Sequence, residues 1–137
     1  MMQKKPTLLL VVAAALLNEG GDILVQKRPE GKPMAGLWEF PGGKIERHET
    51  PEDALVRELR EELGIETKSI DFEPITFASE PLESRSLVLL LYRCRKWLGR
   101  PESQESAELQ WVSLSQLKRL KMPPADGPLV DRLLELE

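Results

Sequence analysis

Cysteine, histidine and long apolar runs are scarce in this 137-residue chain, and each scarcity excludes a class of protein. The one cysteine, Cys94, cannot form an internal disulfide, so nothing indicates a disulfide-stabilised secreted domain. The one histidine, His48, has no second histidine with which to share a zinc site, and we expect it to be solvated. The apolar run 8–17 contains ten residues, which is too short to cross a bilayer.

Positive charge is not in excess either. The chain has 19 Lys+Arg against 23 Asp+Glu, a formal net charge of −4, whereas proteins that bind long nucleic acid present a basic face to the phosphates. We therefore expect no long nucleic acid and no membrane as partners, while a small phosphorylated ligand remains compatible with local cations or a bound metal. The length predicts one domain over residues 1–137, and 41% hydrophobic residues suffice for its core.

The apolar run 8–17 has the length of the apolar segment of a secretory signal peptide. However, no small-residue cleavage site follows it. Residues 18–22 form a turn signal instead, and the strand-like Ile23–Val25 comes next. We interpret the run as a buried strand, and the prediction for the whole protein is a cytoplasmic monomer.

The remaining pattern predicts a mixed α/β fold. A helix should begin after Thr50 as N-cap, with Pro51 in its first turn and Asp53 in the capping-box position, and should end at Gly64. Strands interspersed with helices predict a mixed sheet with helices on its faces. The other predicted elements are strands at 37–40, 70–78, 87–94 and 109–112, a tight loop at 41–43, and short helices at 114–120 and 128–136.

Three carboxylates lie on one side of the predicted helix. Glu58, Glu61 and Glu62 fall in one arc, beside an apolar arc that contains Leu55, Val56, Leu59 and Leu63. Like charges at these spacings repel each other and reduce the stability of the helix. A function of these carboxylates could explain why the helix retains them. Hard divalent cations such as Mg²⁺ prefer oxygen ligands. Taken alone, the cluster favours a solvated acidic helix face over a metal site.

The residues around this helix resemble a known family. Gly43 is followed by five residues, Glu49, seven residues and then the run Arg57–Ile65, which together match every fixed position of the Nudix box. The segment Trp38–Glu46 is similar to the MutT-like branch of that family. The resemblance covers most of the chain.

This resemblance implies a fold and an activity. The fold is the Nudix-type α/β/α sandwich with a central mixed β-sheet. The activity is hydrolysis of nucleoside triphosphates that depends on Mg²⁺, with Mn²⁺ as the alternative to Mg²⁺, and 8-oxo-dGTP is the type substrate of the branch. Water attacks the β-phosphorus, and the products are a nucleoside monophosphate and pyrophosphate. Such chemistry depends on positioning and charge stabilisation rather than on a protein nucleophile.

The resemblance also assigns roles to residues. Glu58 and Glu62 would bind the metal, either Glu58 or Glu61 would accept the proton of the attacking water, and Arg57 and Glu49 would orient the carboxylates. The complete expected set comprises the catalytic residues Arg57, Glu58 and Glu61; the metal ligands Gly42, Glu58, Glu61, Glu62 and Glu105; the substrate-binding residues Arg28, Glu39, Phe40, Pro41, Gly42 and Asp126; and the supporting Glu49.

Asp126 departs from the MutT-like pattern, which commonly has Asn in this segment. Asn both donates and accepts hydrogen bonds, whereas an ionised Asp only accepts, so Asp126 suits the N7–H of 8-oxoguanine but not its O6. This leaves an alternative substrate for the same chemistry: CTP, an oxidised pyrimidine nucleotide or a nucleotide sugar. A second alternative is a non-catalytic nucleotide-binding module, which would be expected to lose box carboxylates that are all present here.

Overall fold

The computed structural model describes residues 7–105 and 107–137, so residues 1–6 and 106 of the predicted domain lie outside the described residues. Its elements in chain order are β1 (Leu8–Leu16), β2 (Ile23–Lys27), β3 (Trp38–Glu39), β4 (Gly42–Lys44), α1 (Pro51–Leu63), a 3-10 turn (Ser69–Asp71), β5 (Glu73–Pro81), β6 (Ser86–Cys94), β7 (Leu109–Val112), α2 (Leu114–Leu117) and α3 (Asp126–Leu136).

The strands form two sheets. The larger has the order β4-β1-β6-β5, in which β1 and β6 run parallel and the other pairs run antiparallel. The smaller is antiparallel, with the order β3-β2-β7. The predicted central mixed sheet is therefore confirmed, and the second sheet is an addition that the sequence pattern did not reveal.

Strand β1 separates two apolar cores because its side chains alternate between the faces of the sheet. Ala13 and Ala15 face a cluster that includes Leu129 and Leu133 of α3. Val12, Ala14 and Leu16 face a second cluster, built with the Leu55, Leu59 and Leu63 side chains of α1. The two helices thus cover opposite faces of the sheet, which confirms the predicted α/β/α sandwich. Among the described residues, no helix combines the length and apolar character needed to cross a membrane.

Helix α1 begins and ends as predicted. The Thr50 Oγ1 accepts a hydrogen bond from the Asp53 N–H at 3.1 Å, and Pro51 occupies the first turn. At the other end Gly64 adopts φ 69°, where glycine has no steric cost, and its N–H donates to the Arg60 carbonyl at 3.0 Å. Two well-formed caps hold the helix that carries the box carboxylates.

The predicted tight loop at 41–43 is wrong in part. Gly42–Lys44 forms β4, which pairs antiparallel with Val11–Ala13 of β1. A Cβ on Gly42 would collide with the Val12 carbonyl oxygen, so the absence of a side chain permits this close pairing. Because a Pro-Gly-Gly run is also typical of turns, the pattern alone could not distinguish the two outcomes.

Several other boundaries also differ. The strand predicted at 70–78 begins only at Glu73, because residues 69–71 form a 3-10 turn that leads into the buried Phe72. Helix α2 ends at Leu117 rather than at 120, and α3 begins at Asp126 rather than at 128. The last difference matters for the site, because it places Asp126 in the first turn of a helix.

Candidate active site

A cavity of about 410 Å³ opens where the two sheets meet. Both sheets, the loop 29–37, the hairpin after β5 and the start of α3 contribute to its wall. Seven of the residues singled out from the sequence line it: Arg28, Glu39, Phe40, Gly42, Glu62, Glu105 and Asp126. We call the part next to α1 the helix end, which comprises Gly42, Gly43, Glu62 and Glu105, and the part around Arg28, Glu39, Phe40 and Asp126 the base end.

Arg57 organises the carboxylates behind the helix end. Its Nε and Nη2 donate to both oxygens of Glu49 at 2.7 and 2.9 Å, and its Nη1 donates to Glu58 Oε1 at 2.9 Å. Its Nη2 also donates to the Lys44 carbonyl at 3.0 Å, which ties α1 to β4. The ion pair with Arg57 lowers the pKa of Glu49 to about 2 and raises that of Arg57 above its ordinary value. Planar, bidentate contact of this kind requires a guanidinium.

Glu58 lies directly against Gly43. A Cβ at position 43 would collide with the Glu58 carboxylate, so the glycine forms a cradle for it at the cavity wall. Burial raises the pKa of Glu58 above its ordinary value, although the hydrogen bond from Arg57 acts in the opposite direction. Glu61 lies farther out, with 59% of its side chain exposed and its nearest contact to Arg57 at 3.5 Å.

Glu62 is the most perturbed carboxylate at the helix end. Burial raises its pKa to about 8, and the nearby charges of Glu58 and Glu105 act in the same direction. Two hydrogen bonds oppose this rise, one from Gln26 Nε2 at 3.0 Å and one from the Gly42 N–H at 3.4 Å, both to Oε2. The neighbouring Glu58 and Glu62 carboxylates repel each other when both are ionised, and a bound cation would offset this repulsion.

The donor set of the helix end fits a hard divalent cation. Glu58 and Glu62 offer adjacent carboxylates, and Glu105 lies on the same cavity. Over residues 7–105 and 107–137, no three His, Cys, Asp or Glu side chains form a ready-made metal-binding group. Two carboxylates are nevertheless enough for Mg²⁺, which is usually held by one or two of them together with waters and substrate phosphates.

At the base end, Arg28 and Glu39 form an ion pair. The Arg28 Nη1 donates to Glu39 Oε2 at 2.9 Å, and its Nε donates to the Pro33 carbonyl at 2.7 Å. The latter bond ties the loop 29–37 to β2. Arg28 directly follows β2, and Glu39 lies on β3, which pairs with β2.

Asp126 is 4% exposed, at the start of α3 and in the wall of the cavity. Burial raises its pKa to about 7, and the charge of Glu39 adds to the rise while Arg28 opposes it. Near neutral pH this carboxyl therefore divides between a neutral form, which can donate a hydrogen bond, and an ionised form, which cannot. Phe40, also 4% exposed, supplies an apolar part of the same wall.

The structure does not bring every predicted residue to the cavity. Pro41 is buried outside its lining, where its carbonyl accepts from the Ala14 N–H at 2.9 Å. Four other predicted residues lie next to the cavity wall but do not line it, namely Glu49, Arg57, Glu58 and Glu61.

Sequence reasoning missed several lining residues, among them Gln26, Met34, Glu80 and Leu82. Gln26 carried a signal, because it is a polar residue that directly extends the apolar run Ile23–Val25. Met34 comes from the loop 29–37, Glu80 from the end of β5 and Leu82 from the hairpin turn after it, and no local pattern indicates that these segments meet.

Comparisons with known proteins agree with this geometry. The model of the NUDIX domain family matches residues 7–133. The chain is 37% identical to a Haemophilus influenzae protein named 8-oxo-dGTP diphosphatase over 97% of this chain and 95% of that protein. It is 35% identical to an Escherichia coli protein named CTP pyrophosphohydrolase over 93% of each.

Solved structures lead to the same family. The solution structure of the Escherichia coli ORF135 protein is 36% identical, with a TM-score of 0.85 over 96% of this chain and 91% of that chain. A MutT structure from work on Aliivibrio salmonicida and Vibrio cholerae is 30% identical, with a TM-score of 0.81 over 96% of this chain and 100% of that chain. The chain therefore belongs to the NUDIX domain family, and the prediction of a hydrolase of phosphoric anhydrides from the MutT-like part of that family is confirmed.

Proposed function

We propose that this protein is a Mg²⁺-dependent nucleoside triphosphate pyrophosphohydrolase that releases a nucleoside monophosphate and pyrophosphate. The observation that carries the proposal is the helix end of the cavity, where Arg57 holds Glu49 and Glu58 while Glu62 faces the cavity beside them. Phosphoryl transfer needs such positioned charges and no protein nucleophile. The relatives named 8-oxo-dGTP diphosphatase support a nucleotide substrate.

We assign Glu58 and Glu62 as the principal metal ligands, with Glu105 and the Gly42 carbonyl as further candidates. When bound, a divalent ion would screen the polyphosphate and lower the pKa of a water molecule. Glu58 or the more exposed Glu61 would accept the proton of the attacking water. Arg57 and Glu49 keep Glu58 in place, and the predictions of a cytoplasmic monomer without a long nucleic-acid partner belong to this proposal.

The base end supports two substrates. Phe40 would pack against the base, and Asp126 in its neutral form could donate to O6 of 8-oxoguanine or, when ionised, accept from its N7–H. CTP is the second candidate, because Asp126, Glu39 and Glu80 give this end several acceptors, and Arg28 is already bonded to Glu39. The exocyclic amino group of cytosine is a donor that such a site would favour.

The test is a comparison of kcat/KM for 8-oxo-dGTP, dGTP and CTP, each with Mg²⁺, scoring nucleoside monophosphate and pyrophosphate. A preference of about a hundredfold for 8-oxo-dGTP over dGTP corresponds to about 2.7 kcal/mol at the transition state and assigns the oxidised purine. A comparable preference for CTP over 8-oxo-dGTP assigns the second substrate.

Hydrolysis in ¹⁸O-labelled water tests the position of attack. Attack at the β-phosphorus places the label in pyrophosphate, whereas attack at the α-phosphorus places it in the nucleoside monophosphate. Tight nucleotide binding without any hydrolysis across the panel would contradict the proposal and indicate a non-catalytic binding module.

A further inference from the structure

One oxygen of Glu62 receives two hydrogen bonds from two different sheets. Gln26 Nε2, on β2 of the three-stranded sheet, donates to Oε2 at 3.0 Å, and the Gly42 N–H, on β4 of the four-stranded sheet, donates to the same oxygen at 3.4 Å. Oε1 of Glu62 receives neither bond. The carboxylate is therefore oriented by a contact on each side of the junction at which the cavity opens.

Gln26 is well placed to hold this orientation. The residue is 9% exposed and lies in the cavity wall, on a strand that is paired on both sides, with β3 and with β7. Its contact with Glu62 spans 36 positions of the chain, so no local turn requires it. The hydrogen bond from the Gly42 N–H is the longer and weaker of the two. The side-chain amide of Gln26 is therefore the main restraint on the Glu62 carboxylate.

We propose that Gln26 is a positioning residue for the metal site: by occupying Oε2 of Glu62, its amide presents Oε1 toward the divalent ion. This inference rests on the proposed function, because it assumes that Glu62 binds that ion. Partners that orient metal-binding carboxylates typically contribute about 10- to 100-fold to metal affinity or activity.

The test uses Gln26→Met in the full chain, because methionine has the length and flexibility of glutamine but no amide. Direct titration of nucleotide-free protein with Mn²⁺, followed by electron paramagnetic resonance, should give a Kd about tenfold weaker than that of the wild type. The matched control is Gln110→Met on β7, an exposed position outside the cavity lining, which should leave the Kd unchanged. A Gln26→Met protein with the wild-type Kd would overturn the proposal.

A double-mutant cycle separates positioning from a general effect on the fold. If Gln26 acts through Glu62, then Gln26→Met should weaken Mn²⁺ binding in the wild-type background but have no further effect in a Glu62→Gln background. Equal weakening in both backgrounds would show a structural role alone and would overturn the proposal, even if the variant melts at a lower temperature.

Failure of the proposed function would look different. A wild-type protein that binds Mn²⁺ and hydrolyses no nucleotide would contradict the pyrophosphohydrolase assignment, and the same Kd comparison would still decide the role of Gln26.

Discussion

The two ends of the cavity differ in how many hydrogen bonds their carboxylates receive from the protein. At the helix end, Arg57 bonds to Glu49 and Glu58, and Glu62 accepts from Gln26 and Gly42. At the base end, Arg28 is already bonded to Glu39 and to the loop 29–37. The Asp126 carboxyl makes no hydrogen bond to any other part of the chain that the structure describes.

Under the proposed function, this difference would separate chemistry from selection. The contacts of Arg57, Gln26 and Gly42 already hold the carboxylates of the helix end, so these groups would need no rearrangement when a nucleotide binds, which is a condition for effective electrostatic catalysis. The base end keeps a largely buried acid that has no hydrogen bond to the described residues, so a ligand in the cavity could become its partner. Changes at the helix end should therefore reduce turnover for every substrate, whereas changes at the base end should alter which substrate is used.

Replacing Glu58 with glutamine should have the largest effect. Glu58→Gln keeps the shape of the side chain beside Gly43 but removes its charge, so kcat should fall by about 10²- to 10⁴-fold for every nucleotide in the panel. The melting temperature, measured in parallel, should stay close to that of the wild type. Wild-type turnover in a folded Glu58→Gln protein would eliminate Glu58 from the chemistry.

Replacing Arg57 with lysine should have the next largest effect. Lysine cannot bind both oxygens of Glu49 and reach Glu58 at the same time, so Arg57→Lys should lower kcat by about 10- to 100-fold with the same substrate preference. Arg60→Lys is the control on the same helix, because the Arg60 side chain forms an exposed ion pair with Glu66 and no other ion pair within the described residues. Equal losses in the two variants would show that helix stability, rather than carboxylate positioning, is affected.

Asp126→Asn should change selection rather than chemistry. An amide can donate to O6 of 8-oxoguanine at every pH, so the ratio of kcat/KM for 8-oxo-dGTP to that for CTP should rise by about tenfold. A variant that loses activity equally toward both substrates would contradict the division of the cavity into two ends.

The same variant tests the raised pKa of Asp126. The folded protein retains the proton up to about pH 7, whereas the unfolded carboxyl releases it near 3.8, so the free energy of unfolding of the wild type should fall as pH rises through this window. Asparagine does not ionise. The melting temperature of Asp126→Asn, relative to the wild type, should therefore rise by a few degrees between pH 4 and pH 8. If the difference in melting temperature between Asp126→Asn and the wild type were constant from pH 4 to pH 8, Asp126 would have an ordinary pKa.

Met34→Ala should have the smallest effect. Met34 is 52% exposed and lies on the loop 29–37 at the cavity wall. The substitution therefore removes only apolar contact area between this side chain and a bound ligand. We expect KM to rise by about two- to fivefold with little change in kcat. Leu98→Ala, at a more exposed position outside the cavity lining, should leave both constants unchanged. A large fall in kcat for Met34→Ala would mean that the loop positions the reacting phosphates.

The sequence was most informative where local chemistry determines structure. Thr50, Pro51 and Gly64 have preferences that act within one turn of a helix, so α1 could be placed to the residue. The box spacing then identified the carboxylates on that helix. The division into two sheets could not be predicted, because it depends on pairings such as Gln26 with Glu39 across a loop.

The base end was only partly predictable for a similar reason. Asp126 could be singled out by its departure from a family pattern, but its burial depends on how α3 packs against β5. Glu80 at the end of β5 and Leu82 in the turn after it line the cavity because the β5–β6 hairpin lies beside it, and a one-dimensional pattern contains no such information. Gln26 was accessible in principle, as a buried polar residue at the end of an apolar strand.

The Arg57 contacts also bear on how such an enzyme could change over evolutionary time. Arg57 bonds to Glu49, Glu58 and the Lys44 carbonyl, all within the segment 44–58, and Thr50 caps the same helix from inside that segment. Most of the proposed reactive geometry is thus specified by the continuous segment 42–62, which also contains Gly42 and Glu62, while Gln26 and Glu105 lie outside it. The positions at the base end of the cavity, 28, 39, 80 and 126, also lie outside this segment. Single substitutions at these four positions could therefore change which nucleotide is hydrolysed while the residues proposed for hydrolysis stay the same.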